Sequence, residues 1–304
     1  MKSQIKFLKP TSSLKTKKGF TLIEMSIVIL IIGLLIASVT GGKKLISLSN
    51  ISKARALTNS APMLNMEDLA LWFETTSKNS FSSASPTDNS AISVWNDINI
   101  QRIIGARNNA VQATGANQPL YIASAISGLP AVRFDGVNDF LQIASLDSSS
   151  LYLSNQVTIF IVFKTLSITG AASQVFFSYQ NGPNNRIGTE VFSSITPGFD
   201  FVNDTTGRVI SSYTLQPNKP IILSEVANSS TQSMYINGAS VGSRSNSLSI
   251  TPFVGTIYIG QFTFGNLQAN ADIGEIIVFS RGLSDFERGE VEKYLSKKWG
   301  IQLT

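Results

Sequence analysis

The chain of 304 residues contains no cysteine and no histidine. Without cysteine there can be no disulfide, no thiolate metal ligand and no thiol nucleophile. Without histidine, serine–histidine triads and histidine-ligated zinc sites are excluded as well. Charged residues are scarce at 14%, whereas hydrophobic residues reach 43%. This balance favours a sizeable buried core over disorder.

The positive charge of the chain is concentrated at its start. The formal net charge is +5, but six lysines and no acidic residue lie within the first nineteen residues. Without that segment the chain has 18 basic and 19 acidic residues, a net charge of −1. We therefore expect no nucleic-acid partner, because phosphate recognition needs a basic surface on the folded domain.

An apolar run follows the lysines, FTLIEMSIVILIIGLLIASVTGG at residues 20–42. At about 1.5 Å rise per residue, roughly twenty helical residues cross a hydrocarbon core of about 30 Å. The lysine-rich segment before the run is expected to stay in the cytoplasm. The sequence thus predicts a single pass through the lipid of a bacterial inner membrane, with the C-terminal part extracytoplasmic.

The junction between the lysines and the apolar run reads KKGFTLIE at residues 17–24. This segment resembles the recognition site of type IV prepilins and of the related pseudopilins. The resemblance implies a leader at residues 1–19, cleavage between Gly19 and Phe20 by a prepilin peptidase, and methylation of the Phe20 amine. It also implies assembly with other pilin or pseudopilin subunits, first in the membrane and then in a pilus or pseudopilus.

Glu24 is an acidic residue inside the apolar run. A carboxylate at that depth is costly in a membrane and needs a partner or a function. After cleavage, the new amine of Phe20 on a neighbouring subunit could neutralise Glu24 when the helices stack. The alternative is a plain signal anchor in which Glu24 lies at the membrane interface.

The helical pattern continues past the apolar run. Apolar residues recur at three- and four-residue spacing, namely Leu45, Leu48, Ile51, Ala54 and Leu57. Pro62 and the polar residues before it mark the end of the helix, so we predict one helical unit over residues 20–60. The stripe could pack on neighbouring subunits or on the chain's own globular domain. We interpret residues 61–90 as a connecting segment with an exposed Ser/Thr-rich loop.

Beyond residue 90, short apolar runs separated by turn residues predict an antiparallel sandwich. Residues 157–163 (VTIFIVF) are typical of a central strand, and Asn237-Gly238 is a strong hairpin signal. Ser284 and Glu287 form a capping-box pattern at the start of a C-terminal helix. The fold class is therefore mainly β, with a membrane-spanning, extended N-terminal helix, and a sandwich at residues 91–304 that the C-terminal helix closes.

Four segments carry a second resemblance: AVRFDGVNDFL at 131–141, MYING at 234–238, IYIG at 257–260 and IGEIIVFSRGLS at 273–284. In this order they are similar to the laminin-G-like branch of the concanavalin A-like lectin/glucanase superfamily. The resemblance implies a jelly-roll sandwich over most of residues 70–302. Residues 180–215 depart most from it and are expected to hold variable loops.

Glucanases of that superfamily use acids that alternate along one strand, so that two carboxylates enter the cleft together. No such run is present here. Asp272 and Glu275 are three residues apart, a spacing that places them on opposite faces of a regular strand. The sequence therefore predicts no enzymatic activity and no catalytic residues, with one of these acids facing solvent and the other in a turn.

Calcium is the one cofactor for which the sequence offers ligands, because laminin-G relatives often bind it. Asp135, Asn138 and Asp139 bring oxygen ligands together in FDGVND. The alternative is a tight turn in which these side chains bind their own backbone. Five aromatic residues could stack on sugars or belong to the core, namely Trp72, Trp95, Tyr179, Tyr213 and Tyr258.

The features together predict a minor subunit of type IV pilin kind that displays a lectin-like domain for adhesion or surface recognition. A glycan or a protein surface is the expected ligand. The first alternative is a pseudopilin of a type II secretion system, which would share the N-terminal segment. The second is a membrane-tethered carbohydrate-active enzyme.

Overall fold

The computed structural model describes residues 19–82, 86–101, 108–143, 156–167, 173–180, 186–192, 196–202, 207–245, 256–262 and 267–304, without the side chains of 37–41, 43, 44, 180, 201 and 202. The predicted leader lies outside these ranges except for Gly19. The chain divides into two compact units, Met1–Ile46 and Ser47–Thr304.

The first helix, α1, runs from Leu22 to Asn59 and thus joins the predicted apolar and amphipathic segments. From Leu22 to Ile36 its apolar side chains are exposed within the chain. Within the residues described, no helix is both long enough and apolar enough to cross a bilayer. In the second unit, part of the apolar stripe of α1 is covered by the globular domain. Ala54 is buried there, and Ile51 and Leu57 pack against the same cluster, whereas Leu48 is exposed.

Seventeen described strands follow, after a 3₁₀ turn at Pro62–Asn65. They are β1 (Leu69–Glu74), β2 (Ser90–Ala91), β3 (Val94–Trp95), β4 (Ala110–Val111), β5 (Leu120–Ile126), β6 (Leu129–Asp135), β7 (Leu141–Ile143), β8 (Val157–Thr165), β9 (Gln174–Gln180), β10 (Arg186–Val191), β11 (Pro197–Val202), β12 (Arg208–Ile210), β13 (Ile221–Ala227), β14 (Thr231–Ile236), β15 (Ala239–Ser245), β16 (Ile257–Ile259) and β17 (Asn270–Phe279). A second 3₁₀ turn occupies Gly115–Asn117, and the chain ends in helix α2 (Asp285–Trp299).

The described strands form two antiparallel sheets. The larger sheet has the order β15-β14-β13-β8-β17-β6-β5-β2, and β1 continues the line of β6 along β17. The smaller sheet has the order β12-β11-β10-β9-β16-β7-β4-β3. This architecture confirms the predicted mainly-β, antiparallel sandwich with an N-terminal and a C-terminal helix.

The main core lies between the two sheets. Alternate residues of neighbouring strands point inward, since successive side chains of a strand face opposite sides. The larger sheet contributes Phe134 and Phe163, and the smaller sheet contributes Phe176 and Phe199, all fully buried. The rings of Phe163 and Phe176 lie 4.4 Å apart, centre to centre, so the two sheets interdigitate directly.

A second core covers the outer face of the larger sheet. There Trp72, Phe160 and Ile277 pack against Leu295 and Trp299 of α2. Ala54 of α1 belongs to the same cluster. The stripe of α1 therefore packs on the chain's own globular domain, which is one of the two alternatives predicted for it.

Helix α2 begins and ends as the sequence predicts. The Ser284 hydroxyl accepts from the backbone N–H of Glu287, and the Glu287 carboxylate accepts from Ser284 in return. At the other end Gly300 adopts a left-handed conformation (φ 63°), which glycine tolerates without a Cβ penalty. The Asn237-Gly238 hairpin is also confirmed, with positive φ at both residues between β14 and β15.

The start of the sandwich differs from the predicted boundary at residue 91. Strand β1 at Leu69–Glu74 is buried throughout and pairs with β17 inside the larger sheet. The Ser/Thr-rich segment after it is partly buried as well, because Thr75, Thr76 and Ser80 turn inward towards Glu74 and its neighbours. Residues 180–215 also differ from the expected loops, since β10, β11 and β12 lie there.

Candidate functional site

The predicted processing segment lies at the start of α1. Gly19 and Phe20 precede the helix, and Phe20 is 79% exposed. A Cβ added at Gly19 would meet no described atom within 4 Å, so the described fold itself does not require glycine there. The role of Gly19 in processing stays a prediction.

Glu24 is held by Thr21 in a capping box. Its Oε2 accepts from the backbone N–H of Thr21 at 2.7 Å and from the Thr21 hydroxyl at 2.9 Å. In return, the backbone N–H of Glu24 donates to the Thr21 hydroxyl at 3.2 Å. The box satisfies the first turn of α1 and gives the carboxylate a partner within its own chain. The predicted assembly role of Glu24 would replace this local partner by the amine of a neighbour.

The Asp135–Asp139 segment forms a compact turn. Asp135 Oδ1 accepts from the backbone N–H groups of Val137, Asn138 and Asp139 at 2.8–3.4 Å. Asp139 Oδ2 accepts from the backbone N–H of Asp135 at 3.0 Å. Burial, with the Asp135 charge beside it, raises the pKa of Asp139 to about 6. The side chains mainly satisfy their own backbone, and the described residues contain no group of three potential acidic, histidine or cysteine ligands. Calcium binding by this turn stays a prediction.

The predicted environments of Asp272 and Glu275 are wrong, because both side chains are fully buried in β17. A β-bulge at Gly274 inserts one extra residue, so Ile273 pairs with Phe163 and Glu275 with Val162. The bulge resets the alternation and places both acids on the outer face of the larger sheet. A Cβ on Gly274 would lie 2.4 Å from the Trp299 ring, so the bulge needs glycine there.

Asp272 and Glu275 belong to separate ion-pair groups. Asp272 contacts Arg133 Nε at 2.7 Å and Lys164 Nζ at 3.1 Å. Glu275 contacts Lys298 Nζ at 2.9 Å, and Lys298 also contacts Glu74 at 2.8 Å. We call Glu74, Glu275 and Lys298 the lysine network.

Every carboxylate oxygen of the lysine network accepts at least one hydrogen bond. Glu275 accepts from the side chains of Trp72, Tyr294 and Trp299, each at 2.8 Å. Glu74 accepts from Thr76, Ser77 and Ser80. Burial alone would raise the pKa of Glu74, but Lys298 and Thr76 hold it below its usual value. Burial would lower the pKa of Lys298, yet Glu275 and Glu74 raise it.

The aromatic candidates for sugar stacking divide into two groups. Trp72, Trp95 and Tyr179 are buried to at least 99%, so they are core residues. Tyr213 and Tyr258 are partly exposed, and the Tyr258 ring lies 6.0 Å from that of Phe140. Only these two retain surface that a ligand could reach.

A second polar cluster lies on the outer face of the smaller sheet, away from the main core. Its members are Arg186, Glu190, Asp200 and Arg208, and we call them the arginine–acid cluster. The neighbours of these residues along each strand, Ile187, Phe199 and Val209, belong to the core between the sheets. Strand alternation therefore points the four polar side chains outward.

Strand register brings the cluster together. Asp200 in β11 lies opposite Gly188 in β10 and opposite Arg208 in β12. Arg186 and Glu190 flank Gly188 on the same face, so Asp200 lies between them. A Cβ at Gly188 would lie 3.7 Å from the Asp200 Cβ, an ordinary contact.

Asp200 is the centre of the cluster. It contacts Arg186 Nη2 at 3.1 Å and Arg208 Nε at 3.1 Å, and Arg208 Nη1 reaches Glu190 Oε1 at 3.7 Å. The Arg208 guanidinium also lies 4.9 Å from the centre of the Phe192 ring. Exposure increases outward, from 4% of the Asp200 side chain to 31% of the Arg208 side chain.

Burial, the charge of the neighbouring Asp200 and a hydrogen bond to Asp200 raise the pKa of Glu190 to about 8, against the opposing effect of Arg208 and Arg186. On the other side of β10, the buried Glu225 shares a hydrogen bond with the Thr189 hydroxyl. Burial raises the pKa of Glu225 well above its ordinary value, and Asp200 and Glu190 add to that rise.

Sequence reasoning missed the arginine–acid cluster because its members come from three strands in a region expected to be loops. The signal available was the alternation of Arg186, Gly188 and Glu190 with apolar or hydroxyl residues, which is a strand pattern. Pairing of those strands could not be read from the residues alone.

Comparison with protein families matches residues 14–40 to the prokaryotic N-terminal methylation motif. The chain begins as type IV pilins do. The motif implies processing by prepilin peptidase, assembly with pilin-type subunits and a membrane-anchored location of pilus type. No curated protein matches the chain.

Solved structures resemble the sandwich. A sialidase from Trypanosoma rangeli, in complex with the inhibitor DANA, has a TM-score of 0.53 and 12% identity over 79% of this chain and 34% of its own. The same sialidase with 2,3-difluorosialic acid has a TM-score of 0.53 and 12% identity over 83% and 38%. The binding domain of botulinum neurotoxin serotype D gives 0.53 and 15% identity over 74% and 50%.

This chain thus spans 34% to 50% of the length of those proteins, and at such identity the likeness establishes the fold alone. The likeness corrects one prediction. Sialidases are enzymes, and this sandwich fold occurs in enzymes and in binding domains alike. The prediction that the chain is not an enzyme, which was drawn from the lack of an alternating run of acids, is therefore wrong.

Proposed function

We propose that the protein is a minor subunit of type IV pilin kind that presents a sugar-binding β-sandwich outside the cell. One observation carries the proposal: a methylation motif at residues 14–40 precedes a separate compact unit, Ser47–Thr304, with its own core. The passenger is large for a subunit that must pack tightly along a whole filament. A minor or tip position is therefore favoured over the bulk of the fibre.

The N-terminal unit would act as the membrane anchor before assembly. The apolar side chains of Leu22–Ile36 are exposed within the chain and need a non-aqueous surrounding or helix partners. A single pass through the inner membrane, with the sandwich extracytoplasmic, is supported by the lysine-rich segment before Gly19. In the assembled form, helices of other subunits would take the place of lipid.

The sandwich would supply recognition. Its fold is shared with a sialidase and with a neurotoxin binding domain. Its smaller sheet carries charged and hydroxyl-bearing side chains with partial exposure, among them Arg186, Arg208 and Tyr258. Such groups suit the hydroxyl groups and apolar faces of sugars.

Mass spectrometry of the protein from cells with an active prepilin peptidase tests the anchor. We expect a chain that begins at N-methylated Phe20. An intact Met1 terminus would contradict processing at this motif. Recovery of the processed protein with secretion components, instead of surface filaments, would favour the pseudopilin alternative.

Binding of the full-length protein in detergent to immobilised glycans tests the passenger. Saturable binding to at least one sugar class is expected, and binding to none would refute the recognition role. Calcium binding at Asp135 and Asp139 stays a prediction, and arms with added calcium or with chelator test it directly.

A further inference from the structure

We propose that a small cavity between α1, the β5–β6 turn and the end of α2 binds a phosphate group. The cavity has a volume of about 200 Å³ and lies wholly within the second unit, Ser47–Thr304. We call it the α1–α2 cavity, and its polar lining includes Asn50, Lys53, Ser127 and Lys297. The inference is independent of the proposed sugar binding.

The walls of the α1–α2 cavity come from three segments that the fold brings together. The β5–β6 turn consists of Ser127 and Gly128, both with positive φ, between two paired strand ends. A Cβ on Gly128 would lie 3.6 Å from Asn50 Nδ2 of α1. A Cβ on Gly300, just after α2, would lie 3.6 Å from Ser127 Oγ. The turn therefore lies close to both helices, and the cavity is already formed without a ligand.

The charge beside the α1–α2 cavity is positive. Lys53 and Lys297 are exposed, and neither forms an ion pair with any residue in the described ranges. Lys298 also lines the cavity, but its ammonium group is held by Glu74 and Glu275. With both glutamates ionised, the lysine network has a formal charge of −1, and the two exposed lysines bring the total to +1. No acidic residue lines the cavity, so an anion is the ligand that fits its charge.

The remaining polar groups of the α1–α2 cavity can donate hydrogen bonds as well. The Asn50 amide and the Ser127 hydroxyl are donors, and neither side chain has a hydrogen-bond partner in the part of the chain that the structure describes. Together with the two ammonium groups, they offer donors from three separate segments. A ligand in the cavity can therefore accept hydrogen bonds from several directions at once.

This arrangement of donors favours phosphate over carboxylate. A planar carboxylate is matched best by the N–H fork of an arginine, and no arginine lines the cavity. Lysine acts as a point charge, and the oxygens of a tetrahedral phosphate point in several directions, as the donors around the cavity do. A divalent cation does not fit, because the cavity offers ammonium groups and no carboxylate. Dissolved phosphate and the headgroup of a phospholipid share this chemistry.

Calorimetric titration of the full-length protein in a non-ionic detergent with inorganic phosphate tests the proposal. Sodium acetate at the same ionic strength is the carboxylate control. We expect saturable binding of phosphate and about tenfold weaker binding of acetate. Lys53→Gln and Lys297→Gln should each weaken phosphate binding about tenfold, because each removes one charge-assisted contact.

The matched control is Lys293→Gln, which removes the same charge from α2 four residues before Lys297. Lys293 pairs with Glu290 and does not line the cavity, so this change should leave phosphate affinity unchanged. Asn50→Ala removes a neutral donor and should weaken binding about threefold. If one lysine variant fails to fold, the other lysine variant and Asn50→Ala still decide the matter.

A short-chain phosphatidylglycerol, added to the same detergent solution, distinguishes the two sources of phosphate. Binding of this lipid that Lys53→Gln and Lys297→Gln weaken would assign the cavity to a headgroup. Binding of inorganic phosphate, weakened by the same variants and without binding of the lipid, would assign it to dissolved phosphate. Either result supports the proposal.

Absence of binding to both inorganic phosphate and the lipid would overturn the proposal. Equal affinities for phosphate and acetate would overturn the choice of phosphate. Phosphate binding that Lys53→Gln and Lys297→Gln leave unchanged, or that Lys293→Gln weakens as much, would overturn the assignment to this cavity. None of these results bears on glycan binding, which is measured separately, so the proposed function stands or fails by itself.

Discussion

The lysine network and the arginine–acid cluster contain similar types of residue, but they differ in how completely their buried polar atoms are hydrogen-bonded. Both combine buried carboxyl groups with cationic side chains on the outer face of a sheet. In the lysine network each carboxylate oxygen accepts a hydrogen bond from aromatic, hydroxyl or backbone donors. In the arginine–acid cluster, Arg186 Nε and Glu190 Oε1 have no hydrogen-bond partner among the described residues, although Glu190 Oε1 lies 3.7 Å from Arg208 Nη1.

This difference separates a complete polar network from a less complete one. The fully satisfied network beneath α2 has nothing left to offer a ligand, and Lys298 and both of its glutamate partners have fully buried side chains. Such a network fixes the register of β1, β17 and α2. The arginine–acid cluster is satisfied less completely and is partly exposed, with 31% of the Arg208 side chain accessible.

The largest effect is expected in the lysine network. Lys298→Met leaves Glu74 and Glu275 without their cation, and unpairing a buried charge costs about 3–5 kcal/mol. Urea unfolding of the full-length protein in detergent, followed by tryptophan fluorescence, measures the loss. Lys297→Met, at the exposed neighbour of Lys298, is the control and should stay within about 0.5 kcal/mol of wild type. Similar free energies of unfolding for the two variants would contradict the stabilising role of the lysine network.

A smaller effect is expected from pH at the arginine–acid cluster. The folded state keeps the Glu190 proton to about pH 8, whereas the unfolded chain loses it near pH 4.5. The folded state therefore binds more protons in that window, and the free energy of unfolding falls as pH rises from about 4.5 to about 8. One retained proton contributes up to about 1.4 kcal/mol per pH unit.

Urea midpoints measured across this pH window test that slope in wild type and in Glu190→Gln. The variant should show the shallower slope, with the remainder attributable to Glu225 and Asp139, whose pKa values are also raised. Glu290→Gln on the exposed side of α2 is the matched control. Stability that rises with pH over this window would contradict the protonated state of Glu190.

The smallest effect concerns the cap of α2. Ser284→Ala removes the hydroxyl that accepts from Glu287, and loss of an N-cap side chain costs about 1 kcal/mol. This loss should appear in unfolding and leave glycan affinity unchanged, because α2 covers the outer face of the larger sheet. A clear change in affinity would show that the two faces of the sandwich are coupled.

Local features of the fold could be predicted from the sequence. The Asn237-Gly238 turn and the Ser284–Glu287 capping box each lie within a few residues, and each specifies its own backbone geometry. The methylation motif is a continuous segment in the same way. Such features do not depend on which strands later become neighbours.

Features that arise between distant strands could not be predicted. The bulge at Gly274 places Asp272 and Glu275 on one face of β17. The bulge needs glycine because the Trp299 ring occupies the space where a Cβ would lie. The cluster around Asp200 depends on the register of β10, β11 and β12. Neither the bulge residue nor the strand register leaves a distinct local pattern in the sequence, so neither group of side chains could be predicted from it.

The central claim is that a pilin-type helix carries a sugar-binding sandwich to the cell surface. Glu24→Val tests the link directly, because it removes the carboxylate that assembly is expected to need and leaves the sandwich unchanged. Glycan binding is measured on intact cells and on the purified protein. We predict that purified Glu24→Val protein binds as wild type does, whereas cells that carry it lose binding and their sheared filaments lack the subunit. Wild-type glycan binding by those cells, with the variant present in their filaments, would contradict the account.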